Sequence, residues 1–217
     1  MSLNYKTKDA KSGTAKSLVI FLHGYGADGN DLLGLAEPLA QHLPDTTFVA
    51  PDAPEECRMN PMGFQWFPVP WIDGSTPVES GISLEKSRDL LSFFLDEIAT
   101  VTGVPSNKTA LVGFSQGTML SLDVGPMREQ SFAGIVGFSG RLLEAERLEH
   151  AKTKPPIQLV HGDQDEMVTF ESMAEAEAAL TASGFSVETH VSHGTGHGIA
   201  PDGLGVAVQR LQEWLEN

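Results

Sequence analysis

The amino-acid sequence predicts an α/β fold, a mainly parallel central sheet with helices on both faces. Short apolar runs rich in β-branched residues recur along the chain, and longer segments of helical periodicity separate them. Every polar cluster suited to chemistry also follows one of those runs. Strands alternating with helices require right-handed crossovers, and active groups then gather beyond the carboxyl ends of the strands. With 217 residues, 41% of them hydrophobic, the chain can form one core, so a single domain over residues 1–217 is expected.

Residues 1–16 are polar and lysine-rich, without the apolar centre of a signal peptide. The first strand is read at Leu18–Leu22, followed by a helix at Asp31–His42 and a strand at Thr46–Ala50. Residues 51–78 hold six of the thirteen prolines and show neither periodicity, which marks a lid or substrate-binding loop. A helix at Glu79–Thr100 follows, because Leu84, Leu91, Phe94, Leu95 and Ile98 share one face and charges occupy the other. Strands are then expected at Thr109–Phe114, Gly134–Phe138, Ile157–Val160 and Ser186–Val191, and helices at Gln116–Val124, Glu171–Ser183 and Leu204–Leu215.

Fourteen basic against 29 acidic residues give a net charge of -15, which repels phosphate backbones and argues against nucleic acid as a partner. The longest early apolar run is too short for a membrane span. Cys57 is the only cysteine, so no internal disulfide can form and a reducing cytoplasm fits.

Chemistry concentrates at Gly113-Phe114-Ser115-Gln116-Gly117, which joins a strand to a helix. Such a turn crowds a nucleophilic serine, and glycines two residues to either side remove the side chains that would clash. Ser115 is therefore the expected nucleophile of an α/β-hydrolase fold. Ser139 also follows a strand, but Arg141 stands where the second glycine is needed. No comparable turn surrounds Cys57.

A serine hydroxyl needs a base to take its proton and a carboxylate to orient that base, in the chain order Ser, Asp, His. Asp163 and Asp165 both follow Ile157–Val160; Asp165 lies farther out and can turn back, whereas Asp163 suits capping of the next helix. Among His161, His190, His193 and His197, the last sits in Gly194-Thr195-Gly196-His197-Gly198, a loop able to project an imidazole above the sheet. The expected triad is Ser115, Asp165 and His197. The spacing of His190, His193 and His197 is not that of a helical zinc motif, so no metal is expected. Backbone donors for a developing oxyanion are expected at Gln116 and, in the glycine-rich loop after the first strand, at Tyr25.

His23-Gly24-Tyr25-Gly26, the serine turn, His161-Gly162-Asp163-Gln164-Asp165 and Gly196-His197-Gly198, in that order, resemble the phospholipase/carboxylesterase family that includes acyl-protein thioesterases. The resemblance spans Leu18 to Leu215 and implies the same triad and oxyanion donors, no cofactor, and a homodimer. Glu166 and Gly198 depart from the eukaryotic thioesterase pattern, while Gly63-Phe64-Gln65-Trp66-Phe67 looks more like the bacterial esterases. The implied activity is hydrolysis of small-to-medium acyl esters or thioesters, ahead of protein or lysophospholipid deacylation. Peptide hydrolysis and a catalytically silent binding domain are the alternatives. Phe64, Trp66, Phe67 and Trp71, with Met62 nearby, either line an acyl groove or anchor their loop to the core.

Overall fold

The computed structural model describes residues 2–216. Strands β1 (Tyr5–Lys8), β2 (Ser17–Leu22), β3 (Thr46–Pro51), β6 (Thr109–Phe114), β7 (Gly134–Phe138), β8 (Ile157–Gly162) and β9 (Val187–Ser192) make one sheet in the order β1-β3-β2-β6-β7-β8-β9. All neighbours run parallel except β1, which pairs antiparallel with β3 at the edge. The expected mainly parallel sheet is thus present, and β1 lies in the segment expected to be merely polar. Its half-exposed, lysine-containing sequence, Tyr-Lys-Thr-Lys, carries no apolar run to signal a strand.

Alternate residues of each strand feed two cores. Leu18, Ile20, Leu111, Ile135 and Leu159 pack on one face, with helices α4 (Pro77–Thr102), α5 (Gln116–Val124) and α6 (Glu171–Ala182). Val19, Phe21, Val112, Val136 and Val160 point the other way, toward α1 (Gly29–Leu33), α2 (Ala36–His42) and α7 (Pro201–Leu215). Both faces are covered. No helix among the described residues is long and apolar enough to cross a membrane.

Local chemistry sets the boundaries. The expected helix at Asp31–His42 is two helices: Asp28 caps α1 by accepting from Asn30 N–H at 2.8 Å, and Gly34 and Leu35 interrupt the spiral. Helix α4 begins two residues before the expected Glu79, because Thr76 and Glu79 form a reciprocal capping box and Pro77 takes the first helical position. Helix α7 starts at Pro201, three residues earlier than expected, its first turn disguised by Gly203. A Cβ on Gly203 would stand 2.7 Å from Val160 Cγ1, so glycine there lets the helix lie close on the sheet.

Residues 51–78 are more ordered than their sequence suggests. Strands β4 (Glu55–Glu56) and β5 (Phe64–Gln65) pair antiparallel, and α3 (Pro70–Asp73) ends at Gly74 with φ 72°.

Candidate active site

Strand ends from across the sheet bring the expected site residues together. At the end of β6, Ser115 adopts φ 53° and ψ −115°, a region costly for any residue with a Cβ. Its N–H donates to Phe138 O at 2.9 Å, which fixes the turn against β7. The two glycines are sterically required. A Cβ on Gly113 would lie 2.4 Å from Gly117 C, and one on Gly117 only 1.7 Å from Leu22 O. Helix α5 starts at Gln116, whose N–H has no intrahelical acceptor, and its positive end faces the serine.

The loop after β2 passes beside this turn: a Cβ on Gly24 would meet Phe114 Cδ1 at 3.0 Å and Ser115 Cβ at 3.3 Å. Buried His23 holds that loop through both ring nitrogens. Its Nε2 accepts from Ala53 N–H at 3.0 Å, so Nδ1 carries the proton and donates to Gly24 O at 2.8 Å. Burial depresses the His23 pKa, outweighing the bond to Gly24 and the nearby Asp52 charge, both of which raise it. Gly26 N–H and Ala27 N–H are engaged by Phe64 O and Gly24 O, on the far side of Tyr25 from His23.

Asp165 is buried in the loop after β8. Its Oδ2 lies 2.8 Å from His197 Nδ1, and its Oδ1 accepts from Met167 N–H and Val168 N–H, both at 3.0 Å. A carboxylate only accepts, so His197 Nδ1 carries the proton, and in the neutral ring the lone pair is on Nε2. Burial pushes the Asp165 pKa up, but the bonds from His197, Val168 and Met167 prevail and hold it below the usual carboxylate value. Phe114 packs against the imidazole with ring centroids 4.9 Å apart.

Asp163 does not cap the next helix. It latches the base loop, accepting from Gly194 N–H at 2.7 Å and from His193 Nδ1 at 2.8 Å, while Gln164 N–H donates to Thr195 O at 2.9 Å. His190, His193 and His197 therefore each engage a different carboxylate, those of Asp202, Asp163 and Asp165. His161 is buried at the end of β8 with Nε2 2.8 Å from Val168 O. Ser139 shares the positive φ of Ser115, at 46°, but at 1% exposure against 8% it lies deeper and does not line the cavity described below, its Oγ 3.5 Å from Gly198 O.

A cavity of about 160 Å³ joins these groups: Ser115, Gln116, His197 and Tyr25 line it together with Phe67 and Trp71. Two of the four aromatics expected on a groove are elsewhere. Trp66 is 0% exposed, its indole N–H donating to His23 O at 3.0 Å, so it anchors the loop. Phe64 pairs its backbone with Gly26 and Ala27 and packs against the core. Phe67, the next residue along this bend, reaches the cavity and Trp66 does not. Met62 lies outside the lining and is exposed.

The sequence gives no direct signal for Val69, Ile72, Met119, Arg141 and Val168 on this cavity, because they converge from four separate segments. Nor does it reveal the side-chain role of Gln116, whose Oε1 accepts from Trp66 N–H at 3.1 Å and whose Nε2 donates to Phe67 O at 2.7 Å. Tyr25 Oη donates to Asp73 Oδ2 at 2.9 Å. The expected lid is thereby fastened to both expected oxyanion residues.

Known proteins resemble this chain throughout. A family model described as phospholipase/carboxylesterase matches residues 4–215. Acyl-protein thioesterase 1 of Yarrowia lipolytica is 31% identical over 162 residues, covering 70% of this chain and 71% of its own. Esterase YpfH of Escherichia coli is 27% identical over 91% of this chain and 83% of its own. The crystal structure of esterase PE8 superposes with a TM-score of 0.94 at 38% identity, covering 99% of this chain and all of that one.

Proposed function

The chain belongs to the phospholipase/carboxylesterase family and is a hydrolase of carboxylic esters or thioesters; from that premise we propose that Ser115, His197 and Asp165 carry the reaction. The observation that supports this most is the Asp165–His197 contact of 2.8 Å beside a cavity that His197 shares with Ser115. His197 Nε2 takes the hydroxyl proton as Ser115 Oγ attacks the acyl carbon, and Asp165 stabilises the resulting imidazolium. Gln116 N–H and Tyr25 N–H receive the charge that develops on the carbonyl oxygen. The imidazolium then protonates the departing alcohol or thiol. Water, deprotonated by the same ring, releases the acid from acyl-Ser115.

Phe67, Val69, Ile72 and Met119 give the cavity an apolar wall, and its size suits a small-to-medium acyl group. Ester hydrolysis is the main reading, with thioester hydrolysis in the same site supported by the likeness to acyl-protein thioesterase 1.

A panel of p-nitrophenyl esters from acetate to palmitate tests both parts. Ser115→Ala and His197→Ala are each expected to lower kcat about 10⁴-fold or more. Phe67→Ala is expected to move the optimum toward longer chains. An unchanged optimum in Phe67→Ala removes the acyl-pocket assignment, and retained turnover in Ser115→Ala removes the nucleophile.

A further inference from the structure

Arg141 lines the same cavity as Ser115 and His197, and nothing in ester hydrolysis itself requires a cation there. The chain has six arginines. Five are in ion pairs: Arg58 with Glu79, Arg88 with Asp123 and Glu144, Arg128 with Asp96, Arg147 with Asp123, and Arg210 with Glu188 and Glu213. Among the described residues no carboxylate pairs with Arg141. Acidic residues outnumber basic ones 29 to 14, so an arginine without an acid is against the trend of this surface.

The guanidinium lies instead over the Trp71 ring, with Cζ 5.3 Å from the centroid. Stacking fixes the position of the charge but satisfies none of its five N–H donors. Among the described residues no acidic side chain lines the cavity. Asp165 is committed to His197 and the 167–168 amides, and Asp73 to Tyr25 Oη, Val69 N–H and Ser75 N–H. The result is a positioned cation on an otherwise apolar acyl site, with a planar donor set that matches an oxyanion.

We infer that Arg141, held on Trp71, is a specificity-determining residue that takes an anionic group, a carboxylate or a phosphate, carried by the ester substrate. The inference rests on the reading of Ser115 as nucleophile, since it is the shared cavity that sets Arg141 beside the scissile bond.

Proton release measures turnover of matched pairs: monoethyl adipate against ethyl hexanoate places the charge on the acyl side, and the butyryl ester of glycolic acid against ethyl butyrate places it on the alcohol side. The butyryl ester of 2-hydroxyethyl phosphate replaces that carboxylate by phosphate. In the wild type at low salt, the charged-to-neutral ratio of kcat/KM is expected to exceed one in at least one pair and to fall as salt rises. Arg141→Met is expected to lower that ratio at least tenfold, with Arg141→Gln used if the methionine variant does not fold. The pair that responds identifies the charged half of the substrate. Ratios at or below one throughout, a ratio insensitive to salt, or a smaller fall in the variant overturns the inference. Ser115→Ala run on the same esters separates the two readings: turnover of the neutral esters that survives it removes the nucleophile, whereas its loss alongside an unresponsive ratio removes only Arg141.

Discussion

Ser115 and His23 both hold unusual local environments, one by backbone angle and one by protonation. The positive φ of Ser115 persists because β2, β6 and α5 meet too closely for another path, as the glycine contacts with Leu22 and Thr118 demonstrate. His23 has to stay neutral, since a proton on Nε2 would face the Ala53 N–H that this nitrogen accepts. Its folded pKa lies below the ordinary 6.5, so below that pH the unfolded chain binds the proton more readily than the folded one. The stability that His23 contributes is complete above about pH 6.5 and is lost as pH falls toward the folded value, by at most about 1.4 kcal/mol per pH unit. Urea unfolding of wild type and His23→Asn at pH 7.5 and 5.5 is expected to show the steeper loss in the wild type; parallel losses would contradict a buried neutral imidazole. At this scale the serine turn and the Asp165–His197 contact were legible, because a strand-to-helix turn and loops at strand ends leave marks in local sequence. The task of Asp163 was not, because its partners, His193 and Gly194, lie thirty residues away.

Among the elements, the segment between β3 and α4 changes most between sequence and structure. Prolines and missing periodicity mark it as irregular, yet Trp66, Gln116, Ser87 and His23 knot it to α5, α4 and the loop after β2. Such long-range pairing cannot be read from composition. Trp66 is consequently an anchor: Trp66→Ala is expected to cost about 3–5 kcal/mol in urea unfolding, through a cavity under the loop and the loss of the indole bond to His23 O. A cost below about 1 kcal/mol would show that the loop is held by other contacts. Helices α4 and α5 were legible from their apolar stripe and their turn, whereas β1 was not, since an edge strand with alternating lysines has no buried run to announce it.

Over the whole molecule, parallel order accounts for the site. Strands β2, β6, β7 and β8 run side by side, so the loops that follow them open at one edge of the sheet. That edge gathers the His23–Tyr25 loop, Ser115, Arg141 and Asp165, and β9 adds the loop of His197. Alternation of strands and helices made this architecture legible, while the cavity wall, drawn from six segments, required the fold itself. A chain carrying -15 overall nevertheless sets one unpaired arginine on its cavity, so its charge pattern at the site opposes that of its surface. We propose that this edge activates Ser115 and no other serine, which intact-protein mass followed by peptide mapping after reaction with a fluorophosphonate would check at the residue itself. One adduct is expected, on the Ser115 peptide, absent from Ser115→Ala and strongly slowed in His197→Ala; an adduct on Ser139, or labelling that survives Ser115→Ala, would overturn the assignment.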